Sequence, residues 1–195
     1  ERINRELGIA ARRITISTSG IVPRIRQLAD SNLQVGLAIS LHAATDEGRS
    51  RLMPVNDRYP LSELMAACRY YTARTNRRIT FEWALIQGKT DKPQEVHALG
   101  RLLKPLHCHV NVIPLNPTAG YQGVPSQRDA VQQFVDILAR YGVPATPRVR
   151  RGIDIEAGCG QLTEKVMQEE NQKHGASAAR QGPRQRRSEN TAKTA

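Results

Sequence analysis

The feature that most restricts this chain is a change of hydrophobic period, repeated along its length. Short apolar runs alternate with stretches in which apolar residues recur every three or four positions. The runs are Ile14–Ser19, Val35–Ser40, Ile79–Ile86, His109–Leu115 and Ala145–Val149. Between them, Val22–Leu28, Pro60–Thr75, Gln94–Leu103 and Ser126–Tyr141 carry helical spacing, and in the second Leu61, Leu64, Met65 and Cys68 fall on one face. Pro23 suits a first helical turn, where its missing N–H would have had no partner. Ser126 is the expected N-cap of the last helix and Gly142 its C-terminal stop. Strand then helix, several times over, gives parallel strands with covering helices and right-handed crossovers. Four to five such units are too few to close an eight-stranded barrel. An open or partial barrel, or a doubly wound sheet, is expected.

A chain of 195 residues can bury one ordinary core, and with 39% hydrophobic but 4% aromatic residues that core must be largely aliphatic. No apolar run approaches the ~18 residues of a membrane helix, so no membrane partner is expected. The three cysteines, Cys68, Cys108 and Cys159, are far apart and form neither a disulfide framework nor a CxxC zinc pattern. A reducing, cytoplasmic setting follows from that. Net charge is +11, and the segment from Glu164 onward, with seven basic and four acidic residues, accounts for +3 of it. The remaining +8 resides in the body, which suits a polyanionic partner such as nucleic acid. From residue 163 to 195 apolar residues almost vanish after Met167, and disorder is expected. The opening ERINRELGIAARRITIST reads as the end of a helix running into a strand, so a longer natural chain is expected upstream.

In parallel strand–helix folds, ligands gather at the carboxyl ends of the strands. Those ends read Ser17-Thr18-Ser19-Gly20, Ser40-Leu41-His42 and Asn116-Pro117. Each has a plain reading: Ser and Thr form turns, Gly20 permits one, and a lone histidine is more often structural than catalytic. Their convergence at one end of the sheet points to a small-molecule site. Glu82 lies inside the apolar string TFEWALI, where a bare carboxylate is too costly, and an arginine ion pair is the expected partner. Cys159 is flanked by Gly158 and Gly160 and follows Arg148, Arg150 and Arg151. Open surroundings and positive charge favour its thiolate. It reads as a nucleophile or as a small residue in a tight turn. Cys68 and Cys108 read as core fillers.

The strings RRITISTSGIVP, LAISLHAATDEGRSRLMPVN, NVIPLNP and RGIDIEAGCGQL stand in this order between about Arg12 and Leu162. Together they resemble the C-terminal half of the RlmN family of radical S-adenosylmethionine (SAM) RNA methyltransferases. The resemblance implies an α/β fold over residues 1–162, a partial TIM-type βα barrel of the radical SAM type lacking its first strands. A disordered basic tail, residues 163–195, would follow. It implies an enzyme that methylates carbon 2 of an adenine in 23S rRNA and in tRNA, as a cytoplasmic monomer served by an external electron donor. Ser17, Ser40, Leu41, His42 and Asn116 match positions that hold S-adenosyl-L-methionine. Cys159 matches the cysteine that accepts a methyl group from this cofactor. A radical generated from a second cofactor molecule then takes a hydrogen from that methyl group, and the carbon bonds to adenine. The glycine-flanked context suits a thiol that must approach two partners in turn.

The family's CxxxCxxC motif, which binds a 4Fe–4S cluster, has no counterpart among Cys68, Cys108 and Cys159. The cluster's ligands, a glycine-rich segment, a second cysteine and a catalytic acid are expected upstream of Glu1. The chain is accordingly expected to be the C-terminal part of a larger enzyme, inactive by itself and with an exposed sheet edge. The alternatives are a Cfr-like enzyme that methylates carbon 8 of the same adenine, and a non-catalytic RNA-binding remnant.

Overall fold

A computed structural model of the chain describes residues 6–115 and 123–148, all within one unit, Glu1–Arg150. The five apolar runs form the strands β1 (Thr15–Thr18), β2 (Gly36–Ser40), β3 (Ile79–Leu85), β4 (Cys108–Pro114) and β5 (Ala145–Pro147). They make one parallel sheet in the order β1-β2-β3-β4-β5. Strand order thus follows chain order with no reversal, which is barrel winding and not the doubly wound alternative. β1 lies at the edge of the described sheet, and Ile16 is 40% exposed there. The expected tail, and the expected boundary between residues 162 and 163, lie outside the described residues.

The helices are α1 (Val22–Asp30), α2 (Asp46–Leu52), α3 (Val55–Arg58), α4 (Leu61–Thr75), α5 (Pro93–Leu103) and α6 (Arg128–Arg140). Pro23 occupies the first turn of α1. Gly142 follows α6 at φ +71 and donates to the Ala139 carbonyl at 2.9 Å, closing that helix as expected. Ser126 does not cap α6. The N-cap is Gln127, without a side-chain hydrogen bond, and the Ser126 hydroxyl donates instead to Asp91 Oδ2 at 2.7 Å. A carboxylate brought close by the fold outcompetes a local backbone N–H as partner. Helices α2 and α3 have no apolar stripe to announce them, and their buried residues are Arg49 and Asn56.

Alternation along the strands makes two unlike faces. Leu37, Ile39, Phe81, Trp83, Val110 and Val112 face the helices and are at most 2% exposed. They share one core with Ile25 of α1, Leu64 and Tyr71 of α4, Leu99 of α5 and Phe134 of α6. Trp83 is its largest member, with its ring centroid 5.9 Å from that of Phe134 and Nε1–H donating to the Thr90 carbonyl at 3.1 Å. Thr90 Oγ1 in turn donates to the Ala84 carbonyl at 2.6 Å and accepts from Ile86 N–H at 2.8 Å, fixing the chain as it leaves β3. α5 and α6 approach at Gly100, where a Cβ would stand 2.3 Å from the Tyr141 ring.

Candidate functional site

The other face of the sheet is half-buried and polar. Parallel register aligns Ser40, Glu82, Asn111 and Thr146 across four strands, so their side chains share that face. One layer towards the amino ends, Ser17, Ala38, Thr80 and His109 are aligned in the same way. Burial, then the Arg78 charge, lowers the pKa of His109. Glu82 does have a partner, but not the arginine expected: its Oε2 accepts from Asn111 Nδ2 at 2.8 Å. The physical reason is register, because none of the inward positions of the five strands holds an arginine. Asn111 was missed in the sequence, although it and Glu82 are each a polar residue at the inward phase of an otherwise apolar strand.

β1 ends in a turn built by its own side chain, as Thr18 Oγ1 accepts from Gly20 N–H at 3.1 Å. Gly20 has φ +106, and a Cβ there would lie 2.9 Å from Arg49 Nη2, so two independent constraints favour glycine. β2 ends differently. Leu41 N–H continues the ladder to the Glu82 carbonyl at 3.1 Å, and its side chain is 0% exposed in the core. Whatever Leu41 offers a ligand must therefore come from its main chain. His42 adopts a left-handed conformation, φ +57, and Nδ1 of its ring accepts from Ala84 N–H at 3.0 Å. The ring stands in for the next rung of the ladder. Nδ1 is the acceptor, so Nε2 carries the proton of the neutral ring. Burial first, and the Arg49 charge second, lower the pKa of His42 to about 4.

Beneath these two turns lies Arg49, 0% exposed. Nη2 donates to the Ser19 carbonyl at 2.6 Å and the Ser40 carbonyl at 3.2 Å, and Nη1 donates to Asn56 Oδ1 at 3.1 Å. Burial pulls its pKa down, and the Asp46 charge pushes it back up. Asn56 Nδ2 reaches Asp46 Oδ1 at 3.0 Å, and that carboxylate also accepts from Leu61 N–H at 2.8 Å, at the start of α4. Sequence reasoning passed over Arg49, because DEGRSRL has the composition of a solvated segment.

The structure thus places Ser40 at the end of β2, Leu41 and His42 directly after it, and Ser17 on the neighbouring strand. Asn116, Cys159, Arg150 and Arg151 lie outside the described residues. Cys68 and Cys108 are buried free thiols whose pKa values burial raises to about 12 and about 11. They are core fillers, as expected, and poor metal ligands. Among the described residues no group of three or more His, Cys, Asp or Glu is placed to hold a metal ion, so a cluster does not fit here. Two surface hollows, about 400 Å³ between α5 and α6 and about 310 Å³ beside β1 and α1, lie away from Ser40 and His42. No helix among the described residues is long and apolar enough to cross a membrane.

No protein-family model matches the chain. Individual proteins do. The dual-specificity RNA methyltransferase RlmN 1 of Myxococcus xanthus is 56% identical over 160 residues, 82% of this chain and 45% of its own length. A probable dual-specificity RNA methyltransferase RlmN of Thermoanaerobacter sp. is 50% identical over 163 residues, 84% of this chain and 48% of its own length. Among solved structures, a radical SAM methyltransferase from Sphaerobacter thermophilus superposes with TM-score 0.79 at 50% identity, covering 82% of this chain and 47% of that one. A domain of pyruvate-formate lyase-activating enzyme from Bacteroides vulgatus shares the fold, with TM-score 0.58 at 16% identity over 74% of this chain and 84% of that one. The chain spans about half the length of the curated relatives it matches. Sheet winding and sequence agree: over most of its length the chain is similar to RlmN RNA methyltransferases and to a portion of a radical SAM methyltransferase barrel.

Proposed function

We propose that the complete protein methylates carbon 2 of adenine in 23S rRNA and tRNA, and that this chain supplies part of its cofactor site and the methyl-carrying thiol, Cys159. The observation that carries the reading is the polar row across the inner face of a parallel sheet, which meets the carboxyl end of β2 at Ser40, in a chain 56% identical over 160 residues to an RlmN protein. Ser17 and Ser40 offer hydroxyls, Glu82 a carboxylate and His42 a ring N–H. A zwitterionic ligand that also bears ribose hydroxyls finds donors and acceptors among them. These residues fit S-adenosylmethionine, with Ser17, Ser40, the Leu41 main chain and His42 holding it together with Asn116. When bound, it supplies the methyl group and, at a reduced cluster, the radical chemistry that the adenine carbon requires.

The chain's own residues have simpler tasks. His42 stays neutral and keeps its Nε2–H as a fixed donor. Glu82, tethered by Asn111 Nδ2 at 2.8 Å, presents its side chain on the inner face of the sheet. Cys159 carries the methyl group whose carbon, after loss of one hydrogen, bonds to the RNA. The +8 body attracts the phosphate backbone, so binding should weaken steeply with salt. Alone, the chain does not turn over, because Cys68 and Cys108 are buried and protonated and cannot take the place of cluster ligands. The same free thiols suit a cytoplasmic protein, acting as a monomer with a separate electron donor.

The test is Cys159→Ser in the complete protein. Methylation of RNA at adenine carbon 2 should fall by at least about 10³-fold, as for loss of a covalent nucleophile. Mass spectrometry of the wild type after SAM treatment should place one methyl group on Cys159. An unmodified Cys159 in active enzyme refutes the role, and methylation at carbon 8 transfers the protein to the Cfr-like reading.

A further inference from the structure

We propose that Arg49 is a positioning residue for the cofactor: its guanidinium joins the turn after β1 to the turn after β2 and sets the spacing of the segments that grip S-adenosylmethionine. The inference rests on the reading of these strand ends as a cofactor site. The register between β1 and β2 ends at Thr18 and Ile39. Beyond it the two chains diverge, one into Ser19-Gly20 and the other into Leu41-His42. Nη2 of Arg49 bridges them, donating to the Ser19 carbonyl at 2.6 Å and the Ser40 carbonyl at 3.2 Å. The Ser40 carbonyl leads directly into Leu41 and His42, which are expected to touch the ligand, and the Ser19 carbonyl lies two residues beyond Ser17.

The clamp is itself braced. Nη1 holds Asn56, and Asn56 holds the Asp46 carboxylate that also meets the first N–H of α4. Thr45 caps α2 by accepting from Gly48 N–H at 3.1 Å, which fixes the helix that carries Arg49. Gly20 leaves the room that the guanidinium fills. The geometry uses the planar fork: one nitrogen spans two carbonyls while the other reaches an amide on the far side. An ammonium on a flexible stem cannot reproduce that arrangement. Among the described residues the guanidinium meets carbonyl and amide oxygens in place of a carboxylate, and Nε has no partner. A fully buried arginine in such surroundings is a costly way merely to fill space. Its position where the end of β1, beyond Ser17, meets the turn that carries Leu41 and His42 gives the cost a purpose.

The experiment uses the complete protein as wild type, Arg49→Lys and Asn56→Ser. Binding of radiolabelled S-adenosylmethionine is measured by equilibrium dialysis without RNA, and KM for cofactor, KM for RNA and kcat are measured separately. Arg49→Lys should weaken cofactor binding about tenfold or more, with KM for RNA within about twofold and kcat at saturating cofactor falling less than KM rises. Asn56→Ser, which removes the brace and leaves both turns untouched, should weaken it about threefold. A merely structural arginine would lower the melting midpoint and leave the cofactor affinity of the folded fraction unchanged. Folded variants that bind the cofactor like wild type overturn the proposal. If Arg49→Lys does not fold, Asn56→Ser decides. A wild type that binds the cofactor but methylates no RNA sinks the proposed function and leaves the Arg49 series readable. A wild type that binds no cofactor sinks both.

Discussion

The two faces of the sheet are built from alternate residues of the same strands, yet they do different work. Towards the helices, Phe81, Trp83, Val110 and Val112 are 0% exposed and belong to one apolar cluster, with the Trp83 N–H satisfied by the Thr90 carbonyl. Towards the inside, Glu82 and Asn111 are half-buried and hold each other. One residue of offset separates a position that stabilises the fold from one that presents chemistry. The lesson is that stability and ligand chemistry are divided by strand phase, so each can be changed with little effect on the other.

The largest effect should come from the packed face. Trp83→Ala removes the biggest buried side chain and leaves the Thr90 carbonyl without its donor, and should cost about 3–5 kcal/mol in urea unfolding. A cost below about 1 kcal/mol would mean that this face is not the stabilising one. Next comes the junction, where His42 ties β2 to β3. Its folded pKa, about 4, lies below the free value near 6.5, so the unfolded chain binds the proton more readily. The contribution is therefore whole above pH ~6.5 and is lost as pH falls towards ~4, by roughly 3 kcal/mol. His42→Asn, which suits the left-handed backbone, should unfold with a correspondingly shallower acid slope over that interval. Parallel slopes for the two proteins would show that the ring does not titrate with folding. The smallest effect belongs to the inner face. Glu82→Gln should change stability by no more than about 1 kcal/mol, because the neighbouring amide can still donate to a carbonyl oxygen. A loss as large as that of Trp83→Ala would erase the distinction between the faces.

Much of this was legible in the sequence, and the division has a physical basis. Each of the first four expected strands starts and ends within about one residue of the observed one, because period-two burial is a local signal. α4 was found from Leu61, Leu64, Met65 and Cys68, all of them buried. What escaped depends on distant partners. Ser126 had the right type and place for a cap, but Asp91, thirty-five residues earlier, takes its hydroxyl. Glu82 announced its need for a partner, but the identity of that partner required the register of β3 against β4. Arg49 was hidden more completely, since hydropathy assigns a charged residue to solvent and nothing local says that two carbonyls wait above it. That Ser40, Leu41 and His42 stand at the end of a strand was legible because strand ends are where turn residues collect.

The sheet is laid down in the order in which the chain is written. Each strand finds its neighbour one helical crossover back, never across the width of the molecule. A polypeptide emerging from the ribosome could therefore dock one βα unit at a time, each new strand meeting an edge that is already formed. Growth by accretion leaves a single advancing margin to be shielded during synthesis.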